Sequence, residues 1–163
     1  MTAPASTPAL LPNPKDVRDL IEGLIGKDVT VGTGAPLSLN EKPALAVYVD
    51  PLMATTAICL VDVPLAAWCA GAFALLPKGG LEDAIDEGEL SDMHLEVLYE
   101  VVNVMAALFN GGGVTHSKLH KLYAPGEAIP GDLAGLAAAF NRIDLTVDVD
   151  GYGKGNLSIV MAH

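Results

Sequence analysis

Apolar residues recur along this chain with two periods, and the points where the period changes divide it into elements. From Pro14 the run PKDVRDLIEGLIG places Val17, Leu20, Ile21 and Leu24 on one helical face, with Asn13 as the cap, Pro14 at the first helical position and Gly26 at the end. Val29 and Val31 begin a strand that stops at Gly32 and Gly34. ALAVYVD (44–50) and ATTAICLVD (54–62) are β-branched or apolar and are separated by Pro51, which predicts an antiparallel hairpin. PLAAWCAGAFALLP (64–77) is almost wholly apolar and reads as a buried helix closed by Pro77 and Gly79–Gly80. The acidic stretch 81–92 reads as a solvated turn or short helix, in which Ser91 or Asp92 can cap the next helix.

The longest helical pattern runs from Glu89 to Asn110. Leu95, Leu98, Val102, Met105 and Phe109 recur at steps of three and four, and Val97, Val101, Val104 and Leu108 flank them, so the helix is expected to be largely buried. One polar column interrupts it. Glu96, Glu100, Asn103 and Ala107 stack in a line because residues three or four apart share a helical face. The triplet Gly111–Gly113 then stops the helix, residues 115–124 are extended, and GDLAGLAAAFN (131–141) is a short helix. Finally Ile143, Leu145, Val147 and Val149 alternate with Asp144, Thr146, Asp148 and Asp150, and GYGKG turns the chain into NLSIVM, a closing hairpin. Antiparallel strand runs around a helical block predict an α+β domain, with long helices on one face of a mainly antiparallel sheet.

The chain has 163 residues, which suits one domain spanning 14–163, preceded by a proline-rich flexible tail over 1–13. No apolar run approaches membrane-spanning length and the N-terminus lacks a signal-peptide pattern, so a cytoplasmic address is expected, with no membrane partner. The net charge of −11 works against binding nucleic acid. Cys59 and Cys69 sit among apolar neighbours and read as reduced core residues.

The standard chemical motifs fail. His116 and His120 lie in an extended context, where four residues span about 13 Å, too far for shared ligation. Gly111–Gly113 follow a helix C-terminus, whereas phosphate cradles precede an N-terminus. Asp144, Asp148, Asp150 and Gly151 resemble part of a calcium loop, but Thr146 and Leu157 stand at ligand positions. There is no GxSxG and no CxxC. The Glu96, Glu100, Asn103 column remains, and spacing alone favours reading it as a solvated strip.

A resemblance changes that balance. The E-x-x-N of EVVNVMAALFN, with a polar residue four positions before its glutamate and Pro125 downstream, resembles the CheC/CheX/FliY family of chemotaxis phosphatases. TAICLVDVPLAAWCAGAFALL resembles the strand and helix that precede that family's catalytic helix, and ELSDMHLEVLYEVVN its approach to the motif. The first helix offers Asp19 and Glu22 without a matching Asn, so the single E-x-x-N is most like the one-site CheX arrangement. The resemblance implies a CheX-like domain that forms a homodimer and hydrolyses the phosphoaspartate of a phosphorylated CheY-like response regulator. No cofactor of its own is implied, since the regulator carries the Mg2+. Asn103 would orient the attacking water and Glu100 would contact a regulator lysine. Glu96, Tyr99 and Ala107, where the family commonly has Asp or Ser, Gly, and Gly, would border the partner. The alternative is a non-catalytic module that retains the fold and binds a response regulator or flagellar-switch component.

Overall fold

A computed structural model describes residues 11–110 and 116–162. Most of the expected tail and the whole Gly111–Gly113 stop lie outside the described residues. Leu11 packs against the core and Pro12 is buried, just ahead of the first helix.

That helix, α1 (Pro14–Ile25), starts where Asn13 accepts from the Asp16 amide at 2.8 Å and ends at Gly26 in a left-handed turn. Strand β1 (Val29–Thr33) follows, then the antiparallel pair β2 (Ala44–Val49) and β3 (Thr55–Val61). Helix α2 (Val63–Ala74) begins where Asp62 caps the Leu65 amide at 2.9 Å. The acidic interval is a full helix, α3 (Lys78–Glu87), and Gly79 and Gly80 sit in its first turn instead of closing α2. Packing overrides their low helix propensity, because Leu81 of α3 occupies the space beside Gly71 of α2 that a side chain there would need. Then come α4 (Asp92–Val104), a 3-10 segment (Met105–Phe109), β4 (Lys118–Tyr123), α5 (Gly131–Leu136) and the closing hairpin β5 (Arg142–Val149) and β6 (Gly153–Met161).

The described strands form one six-stranded sheet, ordered β1-β5-β6-β3-β2-β4, with every pairing antiparallel. The architecture is α+β, and α1, α2 and α4 lie on one face, as the hydrophobic pattern predicts. In the central strands the side chains facing these helices are mostly small: Ala44 and Ala46 of β2, Ala57 and Cys59 of β3. The larger ones on these two strands are Val61 and Tyr48, the latter fully buried under α4. The opposite faces of the same strands carry Leu45, Val47, Ile58 and Leu60, which with Tyr123 and Val160 form a second core under Leu37, Leu133 and Ala137. Helix α5 therefore covers the other side of the sheet. Arg142 fastens this cover, donating to the carbonyls of Ala137 at 2.8 Å and Leu37 at 3.0 Å and to Asp144 at 3.0 Å. Asp144 also accepts from Ser158 at 2.6 Å, so it is engaged as a structural acceptor. Among the described residues no helix is long and apolar enough to cross a membrane.

Helix α2 lies directly on β6 because Gly153 and Gly155 leave it room. A Cβ at Gly155 would meet the Leu65 backbone, and one at Gly153 would meet the Trp68 ring. Gly155→Ala should therefore destabilise the protein by about 2–3 kcal/mol, since the backbone of α2 must move. Urea unfolding that leaves the midpoint unchanged would show that α2 can lift without cost.

Candidate functional site

Helix α4 begins with reciprocal capping. Ser91 Oγ accepts from the His94 amide at 3.1 Å, and the Ser91 amide donates to His94 Nδ1 at 3.3 Å. Its buried stripe is His94, Leu98, Val101 and Val102, continued by Met105 and Phe109. The helix is less buried than its apolar content suggests. Leu95 and Val97 are only partly covered and Val104 is exposed, because α4 packs on α2 and the sheet with one side only.

The C-terminal end of α4 is pinned from below. The Tyr48 hydroxyl, reaching up from β2, donates to the Val102 carbonyl at 2.6 Å, and the Tyr48 ring packs against Phe109 with centroids 4.8 Å apart. Burial raises the Tyr48 phenol well above its ordinary pKa, which keeps the proton on the donor. Asn110 closes the segment, its side-chain amide donating to the carbonyls of Ala106 at 3.0 Å and Ser117 at 2.8 Å while Oδ1 accepts from the Ser117 amide at 2.6 Å. Between these two anchors the chain winds as a 3-10 helix, where the sequence predicts continuous α-helix to Asn110.

Glu96, Glu100 and Asn103 lie on the exposed side of α4, opposite the buried stripe. Their side chains make no hydrogen bond or ion pair with the described residues. Ala107 is exposed too, but the tighter winding beyond Val104 rotates it off their line. Tyr99, 41% exposed, stands beside Glu100 and opens onto a depression of about 660 Å3. Leu95, Glu96 and Glu100 line it together with Phe73 and Ala74 of α2, Leu122 of β4, and Ala124 and Glu127 beyond it. Phe73 escaped the sequence reading because it lies in a run that is apolar throughout, where nothing separates the exposed end from the buried middle, and Leu122 because its place beside α4 depends on sheet pairing distant in sequence.

The carboxylates of α1 are placed differently. Asp19 pairs with Lys15 at 2.7 Å and Arg18 at 3.1 Å, and these hydrogen bonds hold its pKa below the ordinary carboxylate value. Glu22 accepts from the Val29 amide at 2.9 Å. Both serve the chain's own structure. Among the described residues no three of His, Cys, Asp and Glu converge as a metal site. Burial pushes the thiols of Cys59 and Cys69 up to about 12, which keeps them protonated core groups.

An antiparallel six-stranded sheet under α1, α2 and α4 is a fold shared with FliY, CheX and the FliM middle domain. The solved structures with this arrangement include three informative ones. The FliM middle domain from H. pylori is 12% identical over 91% of this chain and 84% of that one, with a TM-score of 0.59. Thermotoga maritima FliY is 14% identical over 89% and 82%, with a TM-score of 0.58. A chain of the CheX-CheY-BeF3-Mg complex from Borrelia burgdorferi is 10% identical over 89% and 92%, with a TM-score of 0.57. At such identities the likeness is one of fold. No protein-family model and no curated protein sequence matches the chain.

Tyr48→Phe keeps the ring beside Phe109 and removes the donor to Val102. The expected cost is about 1–2 kcal/mol in urea unfolding, the range for losing one buried hydrogen bond. An unchanged midpoint would mean that the Val102 carbonyl is satisfied without Tyr48.

Proposed function

We propose that the protein hydrolyses the phosphoaspartate of a CheY-like response regulator, with the outer face of α4 as the working surface. The observation that carries this reading is that Glu100 and Asn103 share one exposed helical face and make no hydrogen bond with the described residues. Polar side chains required for stability are normally engaged, as Asp19, Glu22 and Asn110 are here. A carboxylate and a carboxamide one turn apart can instead reach into a partner's cleft.

An acyl phosphate is labile, so orienting one water in line with phosphorus supplies much of the required acceleration. The Asn103 carbonyl oxygen accepts a hydrogen bond from that water and fixes its lone pair toward phosphorus. As the new P–O bond forms, the bond to the regulator's aspartyl oxygen breaks and the carboxylate leaves. A neutral amide suits this position because it adds no charge to repel the phosphoryl oxygens. Glu100 meets a lysine of the regulator and holds the two proteins in register. The Mg2+ that offsets phosphoryl charge comes with the regulator.

A second reading, binding without catalysis, is favoured by Tyr99, a bulky exposed ring beside Glu100 and one helical turn before Asn103. The two readings separate in one assay. Regulators from the same cell are phosphorylated with a small phosphodonor and their phosphate loss is followed. Hydrolysis predicts faster decay with the wild-type protein, a loss of at least tenfold in that acceleration for Asn103→Ala, and weakened binding for Glu100→Lys. Binding that leaves decay unchanged, and is indifferent to Asn103→Ala, would replace the first reading with the second.

A further inference from the structure

The depression beside Glu100 is larger and more apolar than a charge contact requires. Phe73 is 38% and Tyr99 41% exposed, and Leu95 and Leu122 are half-buried between them. Exposed aromatic rings around a concavity are the usual energetic centre of a protein interface, since they bury much area at low entropic cost. The end of α2 adds a second sign. Leu75 follows the depression's Ala74 in a left-handed conformation, φ 55°, with its side chain 77% exposed. Glycine would fit that backbone with less strain and leave no apolar group in water, so two unfavourable features coincide at one exposed leucine.

We infer that this depression is an anchor site for an apolar side chain of a protein partner, carried next to a cationic residue that meets Glu96 and Glu100. The inference rests on the regulator reading above and names what holds the regulator in place besides the Glu100 contact. Charge decides the occupant. Among the described residues Glu96 and Glu100 have no partner, whereas Glu127 is already held by Lys121 at 3.2 Å, so the uncompensated charge on this surface is negative and an arriving surface must supply positive charge. A small polar ligand would need several converging donors, and the lining side chains offer carboxylates, hydrocarbon and the single phenol of Tyr99.

The test uses the full chain and a CheY-like regulator of the same cell held in its active form with beryllofluoride and Mg2+, with Kd measured by calorimetry. Phe73→Ser and Tyr99→Ser should each weaken binding at least tenfold, and Tyr99→Phe should stay within twofold of wild type. Both serines replace partly exposed rings, and unchanged thermal midpoints would show that the fold is intact. If the midpoints fall, Phe73→Leu and Tyr99→Phe, which keep the apolar volume, must bind like wild type or the anchor fails. Serine variants that bind like wild type while Glu100→Lys does not would overturn the anchor and leave the regulator reading standing. No binding by the wild-type protein to any regulator would overturn both.

Discussion

The hydrogen bond from Tyr48 to the Val102 carbonyl joins the sheet to the helix that carries the candidate site. Tyr48 is the large side chain among small ones on the helix-facing side of β2, so its ring rises from the sheet and its hydroxyl meets the backbone of α4 at the residue before Asn103. The α-helix ends two residues later and the 3-10 segment begins. Asn103 therefore stands in the last turn of a helix whose rotation is fixed from beneath. Under the proposed hydrolysis that fixing matters, because placing a water in line depends on a carboxamide held within a fraction of an ångström.

The same small residues on β2 and β3 that make room for Tyr48 also let α2 and α4 approach the sheet closely, and Gly153 and Gly155 do the same on β6. Bulk is moved to the opposite faces of these strands, where Leu45, Val47, Ile58 and Leu60 need a cover of their own. Helix α5 and the segment at Leu37 provide it, clasped by Arg142. The candidate surface on α4 is thus backed by two packed layers, and its Glu96, Glu100 and Asn103 side chains make no hydrogen bond with the described residues.

Local signals made most of this fold legible. Asn13 and Ser91 cap helices by the chemistry that their side chains suggest, and the alternation from Ile143 to Val149 gives the last hairpin its inward face. The polar column was legible for the same reason, since three exposed side chains at helical spacing in an apolar run must point away from the core. The features that escaped depend on distant contacts. Gly79 and Gly80 read as a stop until Leu81 is seen packing against Gly71. Continuous helix to Asn110 is the local reading, and its end is held by Tyr48, far off in sequence, and by Ser117, further along the chain. The unbroken apolar character of β2 and β3 was the available signal for cover on both faces, because a half-exposed strand would alternate.

The central claim is that the outward face of α4 meets the phosphorylated pocket of a response regulator, and the side-chain amide of Asn103 reports it most directly. In 15N-resolved spectra, adding a regulator activated with beryllofluoride and Mg2+ should shift or broaden the Asn103 side-chain amide signal. The unactivated regulator should do so less, and the side-chain amide of Asn110, tied to Ala106 and Ser117, should stay in place. An Asn103 signal unmoved at saturating regulator, with perturbations gathered on another face, would contradict the account.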